Sequence, residues 1–155
     1  MRPISLAAFS IFLLAGAWNS SAATIIGVSW EGAVVSIDSS GGTSSSIGSS
    51  GFTGLNSLAR TSTGTLISVA GNPLFTTDST LVRIDSSTGA GTSLGTVTGL
   101  PAGSIRALAF SSDDTLFAIA NGGGPFSTTD PDDLYTINLS TGAPTLVGNT
   151  GFAGI

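Results

Sequence analysis

The densest group of side chains that could do chemistry is the acidic cluster Asp130-Pro131-Asp132-Asp133. Carboxylate oxygens are ligands that Ca²⁺ prefers, and the segment Asn121–Gly124 just upstream offers further oxygens. The cluster lacks the Asp-x-Asp-x-Asp-Gly spacing of a calcium-binding loop, and a proline interrupts it. Asp130, Asp132 and Asp133 are therefore weak metal candidates. A solvated loop is the simpler interpretation, and no metal or cofactor is expected.

The residues that most enzymes use as nucleophile or base are missing. The chain of 155 residues has no His and no Cys, and Glu31 is its only glutamate. Without these there is no imidazole base, no thiol nucleophile and no disulfide. Gly122-Gly123-Gly124 is followed by neither Lys-Ser/Thr nor a helical pattern, so it is no phosphate loop. No catalytic set is expected in this sequence.

A few other side chains could bind a ligand. Trp30 could stack on a sugar ring, although packing near a strand end is the simpler interpretation. Arg83 and Arg106 could bind a carboxylate, but Arg83 falls at an outward-facing position of its predicted strand. Asp113-Asp114 fits a hairpin turn.

Three turn residues occupy one recurring position along the chain: Asp38, Asp85 and Asn138. A ring of ligand groups would recur in this way, but so would residues that cap a turn with their side-chain oxygens. Because a position repeated in every copy serves the repeated fold, we expect these three to be structural turn residues.

One sequence segment is repeated almost three times along the chain. Gly51–Leu55 returns as Gly151–Ile155, and Gly48, Gly95 and Gly148 mark one position in successive copies, at spacings of 47 and 53 residues. A repeat of roughly 40–50 residues indicates a β-propeller or a solenoid.

Each copy contains four short runs rich in Val, Ile, Leu, Phe and Thr, bounded by Gly, Ser, Asp and Asn, which predicts four strands. No stretch after residue 23 has a helical period. Four strands per repeat is one propeller blade. The sequence therefore predicts an all-β fold, a partial β-propeller of about two and a half four-stranded blades. The blades are expected at about 34–70 and 81–120, with a partial third at 134–155.

The N-terminus has the features of a secretory signal peptide. Arg2 supplies a positive charge, Ile4–Ala17 is apolar, and either Ser20-Ser21-Ala22 or Ser21-Ala22-Ala23 offers a small-residue cleavage site. We expect residues 1–23 to be the signal peptide, with the mature domain at 24–155 secreted, periplasmic or on the cell surface. A membrane anchor is the alternative. Loss of Arg2 leaves three arginines against nine acids, so neither nucleic acid nor stable membrane insertion is expected.

One copy carries a resemblance. It contains Leu-Val-Arg-Ile-Asp-Ser-Ser-Thr-Gly at 81–89 and Ile-Arg-Ala-Leu-Ala-Phe-Ser-Ser-Asp-Asp-Thr-Leu-Phe-Ala-Ile at 105–119. This pattern resembles the blades of secreted bacterial β-propellers of the YVTN type, and of uncharacterised exported propellers that often carry a PEP-CTERM tail. The resemblance implies the fold and says little about function, because propellers host many activities.

The pattern breaks off inside a third-strand motif, which predicts the N-terminal portion of a longer propeller. The alternative is a short chain that closes its ring by self-association. A strand at Thr24–Ser29 is expected to belong to the last blade of the ring. Self-association through exposed blade edges is expected, over an apolar face made by Leu134, Ile137, Leu146, Val147 and Phe152.

Three functions remain open. The leading hypothesis is a non-catalytic extracytoplasmic module that binds or scaffolds an unknown protein or glycan. The second is part of a propeller enzyme of the lactonase or lyase type, with its catalytic residues in further blades. The third is an oligomeric lectin, which would be expected to repeat an aromatic residue in each blade.

Overall fold

The computed structural model describes residues 23–71, 78–100, 105–121 and 129–153. Within those ranges the chain forms strands and turns and no helix. Eleven strands are present in the described residues: β1 (Thr24–Val28), β2 (Ala33–Asp38), β3 (Ser44–Ser49), β4 (Leu55–Arg60), β5 (Leu66–Ala70), β6 (Ser79–Ile84), β7 (Gly91–Val97), β8 (Ile105–Phe110), β9 (Leu116–Ala120), β10 (Asp133–Ile137) and β11 (Pro144–Asn149).

The strands form three antiparallel sheets. Sheet 1 has the order β1-β2-β3, sheet 2 the order β4-β5-β6-β7, and sheet 3 the order β8-β9-β10-β11. Each strand pairs with its neighbour in the chain, which is the meander of a propeller blade. The prediction of an all-β, partial β-propeller fold is confirmed.

The predicted blade boundaries need correction. The strands lie where the repeat places them, but the four-stranded sheets span 55–97 and 105–149, and the three-stranded sheet spans 24–49. The blades predicted at 34–70 and 81–120 each cut across two of these sheets, and the partial blade predicted at 134–155 is the second half of sheet 3. A sequence repeat fixes the period of a fold but not its phase, because any starting point gives the same spacing.

The physical reason lies in the connection at residues 50–54, which passes from sheet 1 to sheet 2. Gly51 and Gly54 both have φ of 76°, a conformation that glycine adopts at little cost. The connection is tied to both sheets: Gly54 donates its N–H to the Trp30 carbonyl at 2.6 Å, and the Ser50 carbonyl accepts the Gly91 N–H at 3.0 Å. The sequence interpretation placed this crossing inside a blade.

The first strand also belongs elsewhere than predicted. β1 pairs with β2 along its whole length, from Thr24 opposite Asp38 to Val28 opposite Val34. It therefore belongs to the first sheet and not to a last blade. The described part of sheet 1 holds counterparts of the last three strands of sheets 2 and 3.

The core lies between neighbouring sheets. Sheets 1 and 2 enclose one apolar cluster around Val34, Val82 and Ile84. Sheets 2 and 3 enclose a second cluster around Leu81, Ile105 and other buried side chains. Residues of β4, β5 and β6 contribute to both clusters, so the inner three strands of sheet 2 are buried on both faces.

The two ends of the sheets differ in their connections. At what we call the turn end, tight turns join β2 to β3, β4 to β5, β6 to β7, β8 to β9 and β10 to β11. At the opposite loop end lie residues 29–32 and 50–54, together with the described flanks of the longer connections after β5, β7 and β9. The predicted signal peptide, the Gly122–Gly124 segment and Ile155 lie outside the described residues. Within those residues no helix has the length and apolar character needed to cross a membrane.

Candidate functional site

The loop end holds most of the acidic side chains. Glu31, Asp78 and Asp130 are exposed there, and Asp132 and Asp133 lie behind them at the start of β10. Arg106, near the start of β8, is half-buried at the same end. Loops on a rigid sheet scaffold are where binding residues concentrate, so this end is the candidate functional site.

The loop carrying Trp30 is held rigidly. A Cβ on Gly32 would lie 1.9 Å from the Phe52 carbonyl oxygen, so the backbone of this loop touches the 50–54 connection directly. The carbonyl of Trp30 accepts the Gly54 N–H. The indole follows the end of β1, as the sequence indicated, but 39% of its surface is exposed.

The three aspartates predicted as weak metal candidates have different surroundings. Asp130 is exposed, and Asp132 is fully buried, with its backbone tied to Thr150 and Phe152. Asp133 accepts a hydrogen bond from Asn149 Nδ2 at 3.0 Å. In the described part of the chain no three metal-ligating side chains come together. The expectation of no better than weak Ca²⁺ binding stays a prediction.

A buried polar pair lies at the base of this end. Asp133 pairs with Ala120, so the next residues along, Asp132 and Asn121, face each other across the sheet. Both are buried, and Asn121 Oδ1 has no hydrogen-bond partner among the described residues. The loop between them starts and ends on polar, desolvated side chains.

Two polar residues of the inner strand β4, Asn56 and Ser57, were missed by the sequence interpretation. Asn56 and Arg106 occupy equivalent positions at register shifts near the start of β4 and β8. Asn56 Nδ2 donates to the Ile105 carbonyl at 2.8 Å, and Ser57 Oγ accepts the Leu108 N–H at 2.9 Å. These bonds fix the two inner strands together. The signal was the pair of polar residues interrupting the apolar pattern after Leu55.

The recurring turn residues cap their turns. Asp85 Oδ1 accepts the N–H groups of Ser87 at 2.8 Å and Thr88 at 2.9 Å. Asn138 Oδ1 accepts two N–H groups in the same way. Asp38 Oδ1 accepts the N–H and hydroxyl of Ser40. These side chains lie at the turn end, remote from the candidate site.

Asp114 has a role beyond its own hairpin. It has a φ of 59°, unusual for a residue with a side chain. Its Oδ1 accepts the Ser62 N–H at 2.7 Å and its Oδ2 accepts the Ser62 hydroxyl at 2.6 Å. Ser62 belongs to the equivalent hairpin of sheet 2, so this carboxylate joins the turn ends of two neighbouring sheets.

These turn carboxylates predict an acid-dependent stability. The hydroxyl and N–H of Ser40 lower the pKa of Asp38, and the N–H groups of Thr88 and Ser87 lower that of Asp85. Because the folded pKa lies below the unfolded value of 3.8, the stabilisation is full above that value and is lost as the pH falls through the folded pKa. The double variant Asp38→Asn/Asp85→Asn keeps the acceptor oxygens, and we expect its stability to fall less steeply below about pH 4.

The measurement is urea unfolding between about pH 5 and about pH 2.5. Asn138→Asp is the matched control, because it places a titratable group in the third equivalent turn and should steepen the acid arm. Identical pH profiles for the wild type and both variants would contradict the assignment.

Two grooves at the turn end repeat each other. One, of about 420 Å³, is lined by Arg83 and Asp85 on sheet 2; the other, of about 390 Å³, is lined by Thr136 and Asn138 at the same positions of sheet 3. The groove therefore belongs to the repeated fold. The charge of the groove is not repeated, because Thr136 in sheet 3 occupies the position of the exposed Arg83 in sheet 2.

Comparisons with known proteins assign no family to the chain. No protein-family model matches the chain, and no curated protein matches it. Among solved structures it is similar to a chain described as "YCF48 bound to D1 peptide", with a TM-score of 0.48 and 15% sequence identity. The match covers 81% of this chain and 36% of the YCF48 chain, so the sequence spans about a third of that chain's length.

Proposed function

We propose that the protein is a non-catalytic, extracytoplasmic β-propeller module that binds a positively charged polypeptide at its loop end. The observation that carries this proposal is the uneven distribution of net charge between the two ends of the sheets in the described residues. Glu31, Asp78 and Asp130 are exposed at the loop end. A surface with one dominant sign of charge attracts ligands of the opposite sign and speeds their association.

Four carboxylates lie at the turn end. Asp38, Asp85, Asp113 and Asp114 all accept hydrogen bonds within or between turns. Arg60 and Arg83 also lie at the turn end and offset part of its negative charge. The loop end is therefore the more negative surface.

Trp30 adds a second recognition element. Its side chain is partly exposed, and the exposed Glu31 is the next residue along the chain. A Lys or Arg side chain over an indole gains about 0.5–1 kcal/mol at an exposed site. A basic residue of a ligand can contact the ring and the neighbouring carboxylate together.

The extracytoplasmic location rests on the sequence. Arg2, the apolar run and the small residues before Thr24 support export. The resemblance to secreted bacterial propeller repeats supports the same compartment, and the lack of His and Cys in the sequence supports a binding role over a catalytic one.

The test is calorimetric titration with an oligolysine peptide and an oligoglutamate peptide of equal length. We expect the oligolysine to bind and its affinity to fall with added salt. In the triple variant Glu31→Gln/Asp78→Asn/Asp130→Asn the affinity should fall at least about tenfold. Asp38→Asn/Asp85→Asn/Asp113→Asn is the matched control, because it neutralises three exposed carboxylates at the turn end only.

Three results would contradict the proposal. One is equal binding of the two peptides, or no binding of either. Another is an equal loss of affinity in the control variant. The third is binding of neutral oligosaccharides with no preference for charge, which would favour the lectin hypothesis.

A further inference from the structure

The contact between sheets 1 and 2 is made backbone to backbone by glycines. A Cβ on Gly48, in outer strand β3, would lie 2.1 Å from the carbonyl oxygen of Thr88 in the β6–β7 turn. A Cβ on Gly89 would lie 3.0 Å from the Gly48 backbone. The outer strand of one sheet thus fits directly against a turn of the next.

The contact between sheets 2 and 3 has the same design. Gly142 occupies the position of Gly89 in the following turn, and a Cβ there would lie 2.5 Å from the carbonyl oxygen of Thr96 in outer strand β7. The contact point is displaced by one residue along the outer strand. The chain therefore uses one mode of sheet packing twice.

The outer strand of sheet 3, β11, corresponds to β3 and β7, which pack against the next sheet. Among the described residues no sheet packs against β11. Gly148 corresponds to Gly48 and Gly95. A Cβ on Gly148 would have nothing within 4 Å, as at Gly95, where the contact is made by Thr96, so the open face of sheet 3, by which we mean the face turned away from sheet 2, is shown by the apolar side chains. Phe152 is 70% exposed, whereas its counterpart Phe52 packs against the cluster between sheets 1 and 2. Val147, the counterpart of the packed Ile47, is also exposed.

Sheet 1 carries the other surface of this type of contact, made by the β2–β3 turn and the face turned away from sheet 2. Gly42 corresponds to Gly89 and Gly142, and again a Cβ would meet nothing within 4 Å. Ile25 is 52% exposed, whereas its counterparts Leu66 and Leu116 are buried. Val35 and Ile37 on the same face are half-buried, although their counterparts in sheets 2 and 3 are buried.

Two of the residues predicted to form an exposed apolar face do not lie on the open face of sheet 3. Ile137 is buried in the cluster between sheets 2 and 3 and does not contribute to the open face. Leu146 is exposed, but it pairs with Tyr135, which faces sheet 2. Leu146 therefore lies on the side of the outer strand that is turned toward sheet 2, and not on the open face.

We infer that the occupant of these faces is a second copy of the chain, with sheet 3 of one copy packing on sheet 1 of the next. The two faces are halves of a contact that the chain already makes twice internally. The face residues Ile25, Val35, Val147 and Phe152 are apolar and uncharged, so no charge must be desolvated.

This contact is head-to-tail, because the two surfaces differ. Head-to-tail contacts close into a ring when the rotation allows it and otherwise extend into a filament. The inference is independent of the loop-end site, which lies at the ends of the sheets and not on these faces.

A mixing experiment tests the pairing. Val147→Glu blocks the sheet 3 face, because its counterparts Ile47 and Leu94 pack in both internal contacts, and Ile25→Glu blocks the sheet 1 face. By analytical ultracentrifugation we expect the wild-type protein to associate and each single variant to sediment as a monomer. An equimolar mixture should form a species of twice the monomer mass, because one intact face remains on each partner.

Leu146→Glu is the control, because it removes comparable exposed apolar surface from the same strand without touching the open face, and it should still associate. Thermal melts of all variants establish that they are folded. A monomeric wild type at high concentration would overturn the inference. So would single variants that still associate while folded, or a mixture of folded variants that remains monomeric.

Discussion

Replacing Gly48 by alanine is expected to lower the free energy of unfolding by about 3 kcal/mol, at the upper end of overpacking effects. The added methyl group would lie 2.1 Å from the Thr88 carbonyl oxygen. That atom is backbone, so the clash cannot be relieved by a side-chain rotation. Sheets 1 and 2 would have to separate, which would loosen the cluster around Val34 and Val82.

Gly148→Ala is the matched control for this prediction. It is the same substitution at the same repeat position, and a Cβ there would meet nothing within 4 Å. Its effect should stay within about 0.5 kcal/mol. Thermal unfolding at a concentration that keeps the protein monomeric should show a drop of roughly 10 °C for Gly48→Ala alone. Equal midpoints for the two variants would show that the contact at Gly48 does not hold the sheets together.

The repeat made the strands predictable and left their grouping open. Each strand is a local feature, set by alternating apolar residues between Gly, Ser and Asp turns, so local sequence suffices to place it. Which strands share a sheet depends on where the chain crosses between sheets. That crossing, at Gly51–Gly54, differs little in composition from the turns around it.

Roles of individual side chains were predictable from the sequence where their partners are near in the chain, and not where the partners are distant. The capping role of Asp38, Asp85 and Asn138 involves neighbours two or three residues away, so their recurrence could reveal it. Asp114 and Asn56 act on residues about 50 positions away in the chain. No local pattern marks such a contact. The polar residues on the inner strands gave the one available signal.

Leu81→Ala is expected to have the largest effect of any single side-chain truncation described here, a loss of about 4 kcal/mol. Leu81 is fully buried in the cluster between sheets 2 and 3. Truncating a buried leucine removes its transfer free energy and leaves a cavity, which together cost about 2–5 kcal/mol. Both flanking sheets are built on paired strands and cannot collapse freely into the space, so the upper part of that range applies.

Leu134→Ala is the comparison that isolates burial from sequence position. Leu134 occupies the Leu81 position of the next repeat, but it is only half-buried on the open face of sheet 3. Its truncation should cost about 1 kcal/mol, because little cavity forms where the side chain borders solvent. Urea unfolding with an unchanged slope measures both losses. If Leu134→Ala costs as much as Leu81→Ala in the dilute protein, the third sheet is covered in the monomer. The open faces from which head-to-tail pairing was inferred would then not exist. If the costs differ as expected, raising the protein concentration should increase the cost of Leu134→Ala, because a docked second copy would bury that side chain as sheet 3 buries Leu81.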